Sequence, residues 1–179
     1  MVSMMDLSPA SREPMRPPAP ARLVIVSMLV ALVINLLPWN GWALMARPDF
    51  VLVMLLYWAM HESRSVGQGW GFTLGLMMDV ADSVLLGQHA LAYVAAVFLI
   101  QLLRLRLVQL SLLEQALHVA AILLVAQSIN ILLGLAMGRE FPGLAMLLAP
   151  ILGAVLWPFI DFIATRPRFR RRDPITLMG

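Results

Sequence analysis

The chain contains no cysteine and no lysine, and charged residues make up only 13% of its 179 residues. Without cysteine it forms no disulfide, thiolate zinc site, iron–sulfur cluster or cysteine nucleophile. Without lysine it lacks the P-loop lysine of nucleotide hydrolases and the Schiff-base lysine of pyridoxal enzymes. All thirteen cationic residues are arginines. These absences exclude several large classes of enzyme.

Apolar residues are abundant instead, at 61% of the chain, whereas soluble domains have about 45–50%. We therefore predict an all-α integral membrane protein, a six-helix transmembrane bundle forming one domain. Several apolar runs are shorter than the roughly 20 residues that cross a bilayer, so their helices are expected to extend into the flanking tryptophans and arginines. The predicted spans are residues 23–37, 50–60, 66–78, 85–103, 112–137 and 144–164.

The ends of the chain differ in composition from the spans. Residues 1–21 hold five of the twelve prolines, and we predict a flexible cytoplasmic tail there. The transmembrane domain is expected over 22–165, followed by a basic cytoplasmic tail over 166–179. With six spans, eleven arginines fall on one side of the membrane and two on the other. This asymmetry predicts that both termini are cytoplasmic.

Five of those arginines cluster directly after the last span. As an isolated peptide such a cluster could bind nucleic acid, but beside a span it is better explained as an orientation signal and a contact with anionic lipids. We expect no nucleic-acid partner. The cluster consists of Arg166, Arg168, Arg170, Arg171 and Arg172.

Small residues recur at helical spacing on two spans. Gly67, Gly71 and Gly75 form a GxxxGxxxG pattern on the third span, and Gly134 and Gly138 form a shorter one on the fifth. Such patterns let another backbone approach closely. We predict that these glycines pack helices and that the third helix is central. The helix they receive could belong to another protein, although a neighbour from this chain is favoured.

Three carboxylates lie at one predicted membrane level. Asp49 follows Pro48 at the start of the second span, where it would cap free helix amides. Asp79 ends the third span, and we expect an ion pair between Arg47 and Asp79 to lock the two helices together. Alternatively, Asp49, Asp79 and Asp82 could hold a cation.

Known catalytic patterns are incomplete in this sequence. His61 and Glu62 begin like the HExxH zinc motif, but Ser65 stands where the second histidine would be. The sequence contains neither GxSxG nor GxGxxG. We therefore predict no enzymatic activity, no cofactor and no metal site.

Five short segments between Arg47 and Tyr93 form a distinctive set. They are Arg-Pro-Asp at the start of the second span, Tyr-Trp near its end, Gly-x-x-x-Gly-Leu-x-x-Asp, Leu-Gly and Ala-Leu-x-Tyr. Together these residues resemble the rod shape-determining protein MreD family. We expect them to form a core shared by the family or a partner-binding site: Arg47, Pro48, Asp49, Tyr57, Trp58, Gly71, Gly75, Asp79, Gly87 and Tyr93.

The resemblance implies a non-enzymatic scaffold of the bacterial elongation machinery, multi-pass in the inner membrane. It implies binding to MreC, a single-span protein with a large periplasmic domain, in a complex with MreB, RodA and the elongation-specific penicillin-binding protein. The family also looks like the six-helix substrate-binding components of energy-coupling-factor vitamin transporters. The alternative function is therefore a transporter component, whose pocket would draw on few deep polar residues: Asn35, Thr73, Gln127, Ser128 and Asn130.

Overall fold

The computed structural model describes residues 19–141 and 143–169, and over this part the chain is entirely helical apart from turns and loops. For Trp42, Met45 and residues 165–169 only the backbone is described. Six longer helices account for most of these residues, with two short elements between them. The helices are α1 (Ala21–Asn35), α2 (Trp42–Ala46), α3 (Phe50–His61), α4 (Gln68–Ala81), α5 (Gln88–Leu107), α6 (Leu112–Ala136) and α7 (Leu148–Phe169), and a 3-10 turn (Leu144–Leu147) precedes α7.

The core of the bundle is built around α3. Every residue of α3 from Val51 to Met60 except Met54 is buried, and α3 contacts each of the five other long helices. A helix that is apolar on all sides can lie inside a bundle or face lipid, and the burial of α3 on every side shows that it lies inside. The prediction that α4 is central is therefore wrong, since Phe72 and Val80 leave one of its faces exposed.

The helices differ in their ability to cross a bilayer. Among the described residues, three are long and apolar enough: Gln88–Leu107, Leu112–Ala136 and Leu144–Ala164. By contrast, α1, α3 and α4 have 15, 12 and 14 residues, or about 18–22 Å of helix at 1.5 Å per residue. Extension into the arginine flank is confirmed for α5, which continues past Arg106. It is wrong for α3, which begins at Phe50 and ends at His61.

The long helices alternate in direction, so the bundle has two distinct ends. At one end, which we call the termini end, the backbone N–H of Ala19 donates to Glu62 Oε1 at 2.7 Å. Arg104 Nε donates to the Met60 carbonyl at 2.8 Å at the same end. The opposite end, which we call the distal end, holds the ends of α1, α4 and α6 and the beginnings of α3, α5 and α7. Of the predicted tails, residues 1–18 and 170–179 lie outside the described residues, whereas α1 already begins at Ala21 and α7 continues to Phe169.

Candidate functional site: the polar distal end of the bundle

A group of polar side chains, which we call the distal cluster, joins four helices at the distal end. Three of its members, Asn35, Asp79 and Tyr93, are at most 2% exposed. Buried polar groups are tolerated only when they are hydrogen bonded, so the contacts of this cluster reveal how the end of the bundle is held. The distal cluster consists of Asn35, Arg47, Asp49, Asp79, Asp82, His89 and Tyr93.

Asp79 caps the helix that follows its own. The amides at the start of a helix have no partner within the helix, and α5 begins after Gly87, whose left-handed φ of 102° suits glycine and which has no side chain to cap them. Asp79, fully buried at the end of α4, accepts hydrogen bonds from the backbone N–H groups of Gly87 at 2.7 Å and His89 at 2.6 Å. The carboxylate also lies 3.0 Å from Nδ1 of the His89 ring. One side chain thereby fixes the α4–α5 junction.

Arg47 pairs with a different acid from the one the sequence suggested. Its Nη2 lies 3.6 Å from Asp82 Oδ1, and its Nη1 donates to the Asn35 carbonyl at 2.7 Å. The predicted ion pair between Arg47 and Asp79 is therefore wrong, because Asp79 is occupied by the start of α5. The guanidinium joins the end of α1 to the loop after α4.

A second set of contacts joins α1, α3 and α5. Asp49 is the N-cap of α3 and accepts from the Leu52 amide at 3.0 Å, which confirms the predicted cap. The Tyr93 hydroxyl donates to the same carboxylate at 2.5 Å. Asn35 accepts from the Phe50 amide at 3.2 Å and its own amide group lies 3.4 Å from Asp49 Oδ1. The beginning of α3 is thus held from both sides.

Two glycines of α4 lie against α5 of the same chain. A Cβ atom at Gly75 would be 2.4 Å from Ala90 Cα, and one at Gly71 would be 3.3 Å from the Tyr93 carbonyl. Backbone atoms cannot give way as the end of a flexible side chain can, so α4 and α5 approach this closely only because glycine stands at both positions. Gly71, Gly75 and Asp79 all face α5.

The other predicted packing glycines do not lie between helices. Gly67 is the N-cap residue of α4, and the nearest atom to its added Cβ is Gln101 Nε2 at 4.0 Å. Gly138 follows the end of α6 with a left-handed φ of 81°, and Gly134 lies beside Arg139. The helix-packing prediction for these three is corrected accordingly. The structure instead finds Gly153 of α7, where a Cβ would lie 2.8 Å from Leu123 Cδ1 of α6.

Tyr57 and Trp58 lie in the core, towards the termini end. Both side chains are fully buried. Trp58 Nε1 donates to Ser27 Oγ of α1 at 2.8 Å, and the Tyr57 hydroxyl lies 3.4 Å from Asp161 of α7. Because each ring has a polar atom as well as a large apolar body, the pair fills space and also fixes the position of α3 against its neighbours.

Sequence reasoning gave His89 no place in this site. His89 lies between two carboxylates, with Nε2 at 3.7 Å from Asp82 Oδ2 in addition to its contact with Asp79. Its spacing of ten residues from Asp79 spans a helix end and a loop, so no helical periodicity indicates the contact. Among the described residues, no group of three or more histidines or carboxylates is arranged to hold a metal ion.

The deep polar residues of the transporter alternative are scattered. Asn35 belongs to the distal cluster, whereas Thr73 and Ser128 are exposed and donate to carbonyls of their own helices. Gln127 and Asn130 line a cavity at the distal end. The side chains of the predicted lipid-binding arginines, from Arg166 to Arg172, lie outside the described part of the structure.

Comparison with known proteins identifies the family. The family model of the rod shape-determining protein MreD matches residues 19–165. The rod shape-determining protein MreD of Haemophilus influenzae is 28% identical over 145 residues, which cover 81% of this chain and 90% of that protein. No solved structure matches the chain. Because the match extends over nearly all of the helical bundle, including the distal cluster, this chain belongs to the MreD family of rod shape-determining proteins.

Proposed function

We propose that this chain is a non-enzymatic membrane scaffold of the bacterial elongation machinery, which binds MreC and helps to couple MreB filaments to lateral peptidoglycan synthesis. RodA and the elongation-specific penicillin-binding protein are further members of the proposed complex. Family membership supports this function over the vitamin-transporter alternative. The shared fold with the substrate-binding components of energy-coupling-factor transporters remains a proposal about architecture.

The observation that carries the proposal is the difference between the two faces of α4. One face carries Gly71, Gly75 and Asp79 and is covered by α5 of the same chain. The other face is exposed and carries Gly69, Phe72, Thr73 and Met77. Nothing in the described structure comes within 4 Å of a Cβ added at Gly69.

This exposed face suits a partner helix. Small residues four positions apart, here Gly69 and Thr73, allow a second helix to approach closely within a membrane. Phe72 and Met77 beside them supply apolar contact area, with 55% and 45% of their surfaces exposed. At 14 residues α4 is too short to cross the hydrocarbon layer alone. We propose that the transmembrane helix of MreC packs on this face.

The proposed orientation follows from the arginine distribution in the sequence. The termini end would face the cytoplasm and the distal end the periplasm, in a multi-pass protein of the inner membrane. The arginines after α7 would then contact anionic lipids of the cytoplasmic leaflet. A reporter that is active only in the cytoplasm should be active when fused to Met1 or to Gly179, and a reporter that is active only in the periplasm should be inactive at both positions. Activity of the periplasmic reporter at either end would contradict this orientation.

Co-purification tests the partner assignment. The full chain and MreC are expressed together, solubilised and isolated through a tag on MreC. Thr73→Leu combined with Gly69→Leu should abolish recovery of this chain while its melting temperature stays unchanged. The control is Leu132→Ala on α6, which truncates an exposed apolar side chain on another helix and should leave recovery intact. Full recovery of the α4 double variant would contradict the proposed interface.

A further inference from the structure

A cavity lined by both apolar and polar side chains lies beside the distal cluster. Its volume is about 280 Å³, and it is lined by the loop after α4, the beginning of α5, the end of α6 and the residues before α7. This volume is near the lower limit of small-molecule pockets, about 300 Å³. Its polar lining includes Gln88, Gln127, Asn130, Arg139 and Glu140. The cavity is therefore large enough for a small polar group.

One acceptor in this lining has no hydrogen-bond partner among the residues that the structure describes. Asn130 Oδ1 is buried and receives no hydrogen bond from any described residue. The neighbouring Gln88 side chain, 5% exposed, donates to the backbone carbonyl of Asn130 at 3.1 Å and not to its side chain. A buried acceptor left without a donor is costly, so such atoms are usually satisfied. A ligand in this cavity would need an N–H or O–H group at this point.

Two residues of opposite charge in the lining, Arg139 and Glu140, form no ion pair with the described residues. In contrast, Asp82 and His89, which line the same cavity, pair with each other, and Asp82 also pairs with Arg47. The aliphatic part of Arg139 lies 3.4 Å from the Cβ position of Gly134, which also lines the cavity. Because Gly134 has no side chain, the aliphatic part of the Arg139 side chain can lie against α6 at the edge of the cavity.

We infer that this cavity binds a zwitterion that carries a phosphate and a primary ammonium, the chemistry of a phosphoethanolamine group. Arg139 would bind the phosphate, since guanidinium groups suit phosphate oxygens. Glu140 and Asn130 Oδ1 would accept N–H hydrogen bonds from the ammonium. The inference does not depend on the proposed scaffold function. The group could belong to a phosphatidylethanolamine headgroup at the membrane surface or to free phosphoethanolamine.

Lipid retention measured by native mass spectrometry tests this inference. The full chain is equilibrated in detergent with equal amounts of phosphatidylethanolamine and phosphatidylcholine. The choline headgroup has the same charges but no N–H, so it cannot satisfy Asn130 Oδ1. We expect ethanolamine lipid to be retained about tenfold more strongly, as for the loss of one charge-assisted hydrogen bond. Equal retention of the two lipids, without binding of free phosphoethanolamine, would overturn the inference.

Variants connect retention to the cavity. Glu140→Gln and Asn130→Leu should each remove the preference for ethanolamine lipid, and Arg139→Gln should weaken retention of both lipids. Glu140 and Arg139 are exposed, so those variants should fold even if Asn130→Leu does not. The matched controls are Arg106→Gln, an exposed arginine at the termini end, and Ser128→Ala, two positions from Asn130. A preference that persists in Glu140→Gln, or undiminished retention of both lipids by Arg139→Gln, would overturn the assignment to this cavity.

Calorimetry distinguishes the two sources of the ligand. Free phosphoethanolamine is titrated into the full chain in detergent without ethanolamine lipid. Saturable binding that Arg139→Gln abolishes would support the zwitterion site with a soluble ligand, whereas lipid retention without such binding would support a headgroup. Preferential retention of phosphatidylglycerol, dependent on Arg139 alone, would contradict the zwitterion chemistry.

Discussion

The two faces of α4 have opposite relations to the rest of the protein. On the buried face, Gly75 brings the backbones of α4 and α5 together, and Asp79 provides the cap that α5 lacks. On the exposed face, Gly69 has open space around it. The glycines are the same chemically and lie within two turns of each other. Their roles are therefore set by what faces them and not by the pattern they form.

This difference bears on how the residues that resemble the MreD family should be interpreted. Gly71, Gly75 and Asp79 contact α5, so their substitution would alter the bundle itself and affect the proposed partner binding only indirectly. Substitutions on the exposed face would affect the proposed partner binding without altering the bundle. Measurements of stability and of complex formation should therefore separate the two faces.

The largest effect is expected for Gly75→Leu. Even the first side-chain atom at this position would lie 2.4 Å from Ala90 Cα, so α4 and α5 would have to separate. We expect no stably folded protein after solubilisation, as judged by size-exclusion chromatography. Gly69→Leu is the control on the exposed face, and it should give a monodisperse peak. Normal folding of Gly75→Leu would contradict the close α4–α5 contact.

Asp79→Ala should be the next most harmful change. It removes the acceptor for two part-buried backbone amides at the start of α5, and each amide left without an acceptor is expected to cost about 1–3 kcal/mol. Asp82→Ala is the control, because its side chain is 32% exposed and such ion pairs contribute at most about 1 kcal/mol. Thermal unfolding in detergent should give a lower melting temperature for Asp79→Ala than for Asp82→Ala. Similar melting temperatures would refute the capping role.

Gly71→Ala should have an intermediate effect. Its added Cβ would lie 3.3 Å from the Tyr93 backbone and from Val97 Cγ2, which requires a displacement of a few tenths of an ångström. Overpacking of this kind typically costs about 1–3 kcal/mol. We expect a lower melting temperature with the fold retained. An unchanged melting temperature would show that the two helices adjust without cost.

Gly69→Ala should have the smallest effect, with the opposite sign. The added methyl group meets no atom within 4 Å, and alanine favours the helical state by up to about 1 kcal/mol over glycine. The isolated chain should therefore melt at the same or a slightly higher temperature. A clear destabilisation would mean that another part of this chain covers the exposed face.

Local features of this fold could be predicted from the sequence. The number of long helices follows from the apolar runs, and the cap of α3 follows from Asp49 behind Pro48, because both depend on neighbours along the chain. The position of α3 at the centre could not be predicted in this way, because α1 and α6 are also apolar on every side and yet are partly exposed. The glycine spacing on α4 indicated a close helix contact but could not name the helix it meets.

The contacts that define the site could not be predicted as well from the sequence, because they depend on how the ends of different helices meet in space. From the sequence, Arg47 could pair with either Asp79 or Asp82. Asp79 instead caps the beginning of α5, so Arg47 pairs with Asp82. Gly67 and Gly138 matched a packing pattern, yet both lie at helix ends, where glycine serves the backbone instead. No sequence pattern indicated the contacts that His89 makes with Asp79 and Asp82. In each case the deciding partner comes from a different helix or loop.

Disulfide crosslinking along α4 in the complex with MreC tests the central claim most directly, because the chain has no cysteine of its own. Single cysteines replace Phe72, Thr73 and Met77 on the exposed face, and Leu74 and Met78 on the buried face. A second cysteine is moved along the MreC transmembrane helix. We predict crosslinks from Phe72→Cys, Thr73→Cys and Met77→Cys, and none from Leu74→Cys or Met78→Cys. Crosslinks confined to the buried-face positions in folded protein would contradict the division of α4 into an internal and a partner-binding face.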